Sequence, residues 1–312
     1  MTPKRPDYLR LAVTGRCNLR CIYCRPADGE PAEAGPEPSV AALRLLVECA
    51  AAEGVRKVRL TGGEPLLRAD LAELVVAIST APGIRETVMT TNGVGLAERA
   101  GELRDAGLQR VNVSVDTLRP ERMARLAGRD AVAQVLAGVA QAARLFPLVK
   151  TNTVVLRGRN DDELGDLVRF AAGAGVRARF IEYYPTLSAP DLEGLSAGQM
   201  RARIEGEFGP LESVPGDEGA VETLYRVPGL GTTIGLIAAS QAPPCEQCAK
   251  LRVGADGQLL PCLFAGAGVE LAGMLATGDA AGVRRALREA FAAKERCGRA
   301  GRLAPSACRL GG

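Results

Sequence analysis

Histidine is missing from all 312 residues. That removes the imidazole ligand of ordinary zinc sites and the side chain that most readily exchanges protons near neutral pH, so any proton chemistry must use other groups. No apolar run is long enough to cross a bilayer, and neither an amphipathic transit segment nor an anchor signal is present, so a soluble cytoplasmic protein is expected. The charge balance is nearly even, with 39 basic and 36 acidic residues and a net charge of +3. Neither a nucleic-acid partner nor a membrane surface is therefore expected. A chain of this length buries a core without disulfide staples and carries no secretory signal, so its nine cysteines point to metal or redox chemistry.

Three of them, Cys17, Cys21 and Cys24, fall in the run Arg16-Cys17-Asn18-Leu19-Arg20-Cys21-Ile22-Tyr23-Cys24. Iron-sulfur clusters are normally held by four thiolates, so three in a tight run imply an open iron or a distant fourth ligand. The segment Thr61-Gly62-Gly63-Glu64-Pro65, after the apolar Val58 to Leu60, favours the open iron. A strand end and a glycine loop admit backbone close to a ligand, and Glu64 is available for an ammonium. A zinc site completed by an outside ligand is the alternative.

Short β-like runs alternate with longer stretches of helical spacing. Leu9 to Val13, Arg56 to Leu60, Thr87 to Thr91, Arg110 to Val115, Lys150 to Leu156 and Arg177 to Glu182 read as strands. Val40 to Glu53, Ala69 to Ser79, Leu96 to Ala106, Ala131 to Ala143 and Asp161 to Ala172 read as helices. The alternation predicts an α/β fold, a partial barrel of six βα repeats over residues 1–184, with an extension over 185–312. A complete eight-repeat barrel is the alternative, made less secure by the change of character after about Pro185.

In the extension a helical patch is expected near Met200 to Phe208, paired strands at Ala220 to Val227 and Thr232 to Ile237, and a surface helix over Arg284 to Arg299. Recurrent apolar runs speak against an independent linker and for a segment wrapped over the barrel. Cys245-Glu246-Gln247-Cys248 is followed by Lys250-Leu251-Arg252, a turn at Gly254 to Gly257, and Cys262. The turn returns Cys262 towards the pair. A lone CxxC is shared by zinc ribbons and redox dithiols, whereas three ligands beside an N-terminal cube favour an auxiliary cluster over zinc. Cys49, Cys297 and Cys308 read as structural or incidental.

The CxxxCxxC run followed by GGEP resembles the radical S-adenosylmethionine (SAM) superfamily. Over nearly its whole length the chain resembles the GTP 3',8-cyclases of molybdenum-cofactor biosynthesis. The likeness lies in Leu9-Arg10-Leu11, Lys57-Val58-Arg59, Thr90-Thr91-Asn92-Gly93, Asn112-Val113-Ser114-Val115-Asp116, Arg179-Phe180-Ile181-Glu182, the C-terminal cysteines and the terminal Gly311-Gly312. The resemblance implies two [4Fe-4S] clusters, on Cys17, Cys21 and Cys24 and on Cys245, Cys248 and Cys262. It implies that the first binds SAM and cleaves it to a 5'-deoxyadenosyl radical, while the second holds the guanine of GTP. The radical then takes the ribose C3' hydrogen and C3' bonds to C8. Tyr23, Gly62, Gly63, Glu64, Asn92, Ser114, Asp116 and Tyr184 are implied at SAM. Arg10, Lys57, Arg59, Thr90, Lys150, Arg179, Lys250 and Arg252 are implied at GTP, with Arg252, Gly311 and Gly312 in the reaction itself. An electron donor such as flavodoxin or ferredoxin is implied, and a homodimer is compatible.

Physical chemistry agrees with that assignment in kind. A triphosphate needs several cations in one cavity, although each basic residue taken alone reads as a solvated charge. Ser114 and Asp116 read alternatively as a helix cap. A terminal Gly-Gly is ordinarily a disordered end, but only glycine threads a narrow channel without side-chain bulk. The chain departs from the family at Lys250, where arginine is common, at Arg25, where methionine is usual, and at Tyr183-Tyr184-Pro185-Thr186, where a methionine and Asp-Val-Gly usually stand. A paralogue acting on another nucleotide or nucleoside in natural-product biosynthesis is the alternative within the class. A non-enzymatic zinc-binding module is the alternative outside it.

Overall fold

A computed structural model describes residues 7–24, 37–184, 189–216, 222–238, 248–262 and 268–293. Six strands run in parallel and in sequence order: β1 (Tyr8–Ala12), β2 (Lys57–Thr61), β3 (Glu86–Thr91), β4 (Arg110–Ser114), β5 (Val149–Val155) and β6 (Arg177–Glu182). Between them lie α1 (Val40–Ala52), α2 (Leu71–Ser79), α3 (Leu96–Asp105), α4 (Pro120–Ala127), α5 (Val132–Leu145) and α6 (Leu164–Gly173). Observed bounds differ from the expected ones by a few residues at most. The exception is α4, which the hydrophobic spacing did not reveal. Pro120 opens that helix at its first turn, where a missing N–H costs nothing, and Gly128 closes it with φ of 81°.

Period-two alternation divides the sheet into two chemically different faces. Leu9 and Leu11 of β1 and Val58 and Leu60 of β2 are fully buried and pack with Leu43, Leu46, Leu74 and Ile78 of the helices. Their neighbours Tyr8, Arg10, Lys57 and Arg59 share the other face, so the hydrophobic core sits between sheet and helices while the concave side is polar. Helix starts are sharp where a hydroxyl accepts an orphan N–H: Ser39 caps α1, and Ser196 forms a capping box with Gln199 at α7 (Ala197–Phe208).

The extension lengthens the same sheet at both edges. Strands β7 (Glu212–Val214), β8 (Thr223–Arg226) and β9 (Thr233–Ile237) form a meander whose β9 pairs in parallel with β6. At the opposite edge β10 (Lys250–Val253) pairs in parallel with β1 and turns back through β11 (Gln258–Leu260) to β12 (Val269–Glu270). The order is β12-β11-β10-β1-β2-β3-β4-β5-β6-β9-β8-β7, an open sheet of 12 strands among the described residues rather than a closed eight-repeat barrel. The expected paired strands at Ala220 to Val227 and Thr232 to Ile237 are β8 and β9. They extend the sheet rather than wrap over it. The charged C-terminal stretch begins earlier than expected, as α9 (Ala280–Ala292), which follows α8 (Ala272–Thr277) and packs on α1, with Arg284 and Arg288 both 2.7 Å from Glu53. Cys49 is buried in α1 near the Ala280 carbonyl, consistent with a structural thiol.

Candidate functional site

The C-terminal ends of the parallel strands open into a cavity of about 330 Å³. Its wall carries Cys17, Cys21, Tyr23 and Cys24 from the loop after β1, Gly62 to Glu64 from the loop after β2, and Asn92 after β3. Ser114 and Asp116 from β4 and its following turn, and Tyr183 and Tyr184 after β6, complete it. Every residue expected at SAM therefore lines one cavity, at the strand ends where α/β sheets bind ligands.

The two glycines serve the loop before they serve any ligand. A Cβ on Gly62 would lie 2.3 Å from the Thr14 carbonyl oxygen, and one on Gly63 would lie 2.0 Å from that of Arg16. Backbone replaces those side chains: Gly63 N donates to Thr14 O at 2.7 Å and Glu64 N to Arg16 O at 2.7 Å. The cysteine loop is thus stitched to the loop after β2. Arg68, 1% exposed, reinforces the seam by donating to the carbonyls of Val13 and Pro38 while pairing with Asp70. On the far side Arg20 N and Ile22 N donate to the carbonyls of Ala127 and Leu126 in α4, at 2.8 and 2.9 Å. Neither Arg68 nor α4 was marked by any motif.

Glu64 is 1% exposed. Its carboxylate accepts from Leu66 N at 3.0 Å, Thr91 Oγ1 at 2.6 Å and Asn92 N at 2.6 Å. Burial nevertheless outweighs those bonds and raises its pKa from 4.5 to about 7. A buried carboxylate with no cation beside it among the described residues is suited to receive an ammonium. Asp116 is likewise pushed up to about 6 by burial, against the bonds it accepts from Tyr23 and from Val154 N. Burial and the adjacent Asp116 carboxylate raise the Tyr23 phenol, so it stays protonated and donates to Asp116 Oδ2 at 2.5 Å. Asn160 Nδ2 donates to the Asp116 carbonyl at 2.8 Å and fixes that turn from behind.

The three thiols line this one cavity together, and Cys17 Sγ already accepts from Leu19 N at 3.5 Å and from Asn92 Nδ2 at 3.8 Å. Among the described residues no three His, Cys, Asp or Glu groups gather round a single ion position. Three thiols in one cavity are a donor set that fits an iron-sulfur cluster with one iron left for a ligand.

Below the cavity the concave face becomes cationic. Thr90 and Asn152 line the cavity, and each accepts from an arginine beneath: Arg59 Nη1 reaches Thr90 Oγ1 at 3.0 Å and Arg179 Nε reaches Asn152 Oδ1 at 2.9 Å. Strand register sets Arg10 directly between Arg59 and Arg252, and Tyr8 between Lys57 and Lys250. Tyr8 was not anticipated. Its ring lies 5.5 Å from Lys57 Nζ, 5.7 Å from Arg59 Cζ and 5.8 Å from Lys250 Nζ, and its hydroxyl accepts from Arg59 Nε. Burial alone would raise the Tyr8 pKa, but Arg59, Arg10 and Lys57 prevail and lower it to about 8. Burial, with repulsion from Arg252, lowers Arg10 to about 9. Arg252 Nη1 is buried with no hydrogen-bond partner among the described residues. Lys57 also pairs with Glu86 at 2.6 Å.

Lys150 and Arg179 are placed differently. Both meet Glu222, a residue no motif singled out, at 2.5 and 2.9 Å. The sequence did hold a signal: in the expected strand Ala220 to Val227, Glu222 alternates in phase with Leu224, and the structure buries both while exposing Thr223 between them.

The expected second cluster site is described in part. Cys248 precedes β10 and Cys262 follows β11, so the hairpin whose register pairs Arg252 with Leu260 brings both thiols to one end, beside Lys250 and Arg252. Cys245, Arg25, Pro185, Thr186, Cys297, Cys308, Gly311 and Gly312 lie outside the described residues.

Three thiols, a buried carboxylate at a glycine loop and an open α/β sheet define a class, and comparison with known proteins names it. Residues 11–171 match the family model described as "Radical SAM superfamily", and residues 176–298 match "Molybdenum Cofactor Synthesis C". The streptococcal SuiB structure bound to S-adenosylmethionine superposes with a TM-score of 0.61 over 84% of this chain and 61% of its own, at 17% identity, a likeness of fold. "GTP 3',8-cyclase 3" of Mycobacterium bovis is 40% identical over 84% of this chain and 72% of its own length. "GTP 3',8-cyclase" of Peptoclostridium acidaminophilum is 38% identical over 88% and 86%. The chain belongs to the radical SAM superfamily and, within it, to the GTP 3',8-cyclase family.

Proposed function

We propose that the protein is a radical SAM enzyme that converts GTP to 3',8-cyclo-7,8-dihydroguanosine triphosphate for molybdopterin synthesis. The observation that carries this reading is the continuity of two sites. A cavity bearing three thiols and a buried carboxylate rests, through Thr90 and Asn152, on a floor of arginines. When bound, a [4Fe-4S] cluster on Cys17, Cys21 and Cys24 with SAM supplies one-electron, hydrogen-abstracting chemistry. Everything else is done by the chain's own groups.

Glu64 receives the SAM ammonium, whose charge compensates the cost of holding that carboxylate away from water. Tyr23 and Asp116, joined by their hydrogen bond, present a fixed polar edge to the same cavity. Leu19, Met123, Leu126, Val132 and Val135 exclude water from the same cavity, protecting a reactive centre from solvent quenching. Arg10, Arg59, Lys250 and Arg252 hold the substrate's anionic end, and the orphan Arg252 Nη1 offers a donor without giving up an existing bond. Cys248 and Cys262, with Cys245, hold a second cluster beside those cations, and Gly311-Gly312 enters the cavity. Flavodoxin or ferredoxin delivers the electron.

With GTP deuterated at C3', the reconstituted enzyme should move deuterium into 5'-deoxyadenosine and release the cyclic product. Turnover of SAM without deuterium transfer or cyclic product would overturn the GTP reading and favour a different nucleotide or nucleoside.

A further inference from the structure

Carboxylates are unevenly spread among the cations of the floor. Arg59, Lys250 and Arg252 on β2 and β10 pair with no carboxylate among the described residues; Arg59 and Lys250 lie against Tyr8 instead, and Arg252 Nη1 is buried without a hydrogen-bond partner there. On the other side Glu222, 8% exposed, puts one carboxylate oxygen 2.5 Å from Lys150 Nζ and 3.6 Å from Arg177 Nη1. Its other oxygen lies 2.9 Å from Arg179 Nη1. The Lys150 and Arg179 side chains are themselves buried, and Arg179 also reaches Asn152 on the cavity wall. Two cations converging from adjacent strands on one oxyanion form the geometry that binds a phosphate, and here the protein's own carboxylate fills it.

We propose that Glu222 is a specificity-determining residue that occupies a phosphate subsite between Lys150 and Arg179 and so limits the number of phosphates the cavity favours. This rests on the nucleotide reading above. A phosphate chain anchored on Arg59, Lys250 and Arg252 that extends towards β5 and β6 meets Glu222 before it meets a free cation. Its last phosphate must either displace that carboxylate or lie beside a like charge, and both offset what the added phosphate gains. The chain then discriminates weakly between a nucleoside diphosphate and a triphosphate. Glu222→Gln keeps the size of the side chain, removes its charge and releases the two cations.

The test is anaerobic equilibrium dialysis of the cluster-loaded protein, without SAM or reductant, against guanosine, GMP, GDP and GTP. In the wild type each phosphate up to the diphosphate should tighten binding, with little further gain for GTP. In Glu222→Gln the GTP-to-GDP affinity ratio should rise by at least about tenfold, with guanosine affinity unchanged. An unchanged ratio with nucleotides still bound overturns the role of Glu222 alone. Parallel weakening of every ligand, guanosine included, overturns it in favour of a structural role. Failure of the wild type to bind any guanine nucleotide removes both this inference and the GTP reading. Should the variant not fold, the wild type decides: GTP binding less than about fivefold tighter than GDP supports the proposal, and a larger gain overturns it.

Discussion

Replacing Glu64 with Gln should change the pH dependence of stability by an amount that follows from burial. In the folded protein without SAM the carboxyl titrates near 7 rather than 4.5, chiefly because it is desolvated. A carboxyl with a raised folded pKa holds its proton more tightly in the folded state, so wild-type stability declines as pH rises through 4.5 and levels off above about 7. Between about pH 5 and about pH 8 that decline is worth about 2 kcal/mol, at ~1.4 kcal/mol per pKa unit. Glutamine does not titrate. It does misplace an amide N–H₂ against one of the donors now held by the carboxylate, Leu66 N, Thr91 Oγ1 or Asn92 N, but that penalty is the same at every pH. The variant-minus-wild-type difference should therefore rise by about 2 kcal/mol across the window, whatever its starting value. Urea unfolding followed by circular dichroism is the assay, since the chain has no tryptophan to report by fluorescence. SAM affinity should move the other way, falling at least about tenfold in the variant and weakening in the wild type below about pH 7. A stability difference that stays flat across the pH range would refute the argument.

Gly63→Ala should lower stability by about 1–3 kcal/mol and reduce the iron retained after anaerobic reconstitution, because its Cβ overlaps the Arg16 carbonyl that anchors the cysteine loop; full iron content would contradict this. Cys248→Ala should lose cyclic product yet keep SAM cleavage, measured as 5'-deoxyadenosine, because the first cluster is held by other residues. Equal loss of both with the first cluster intact would argue against separate roles. In Tyr8→Phe a tyrosinate absorbance change near pH 8 should vanish from the titration, and the stability that the wild type gains as pH rises from 8 to 10 should go with it.

Chemistry written as short contiguous motifs was readable from the chain alone. Cys17, Cys21 and Cys24 lie within eight residues, and Gly62 to Glu64 are adjacent, so their spacing is set by covalent geometry before any folding. The six strands and most of their helices were equally legible, because each carries an apolar periodicity that its own residues determine. What folding alone decided is which strand neighbours which, and with it the balance of charge inside the barrel. Tyr8 became the centre of a cation cage because β10 pairs with β1 across more than 240 residues of sequence. Glu222 reached Lys150 and Arg179 because β9 pairs with β6 and draws β8 alongside it. Those contacts rest on long-range strand pairing, which no local pattern encodes; a buried carboxylate is visible in the sequence as an anomaly, but its partners are chosen only when the sheet is assembled.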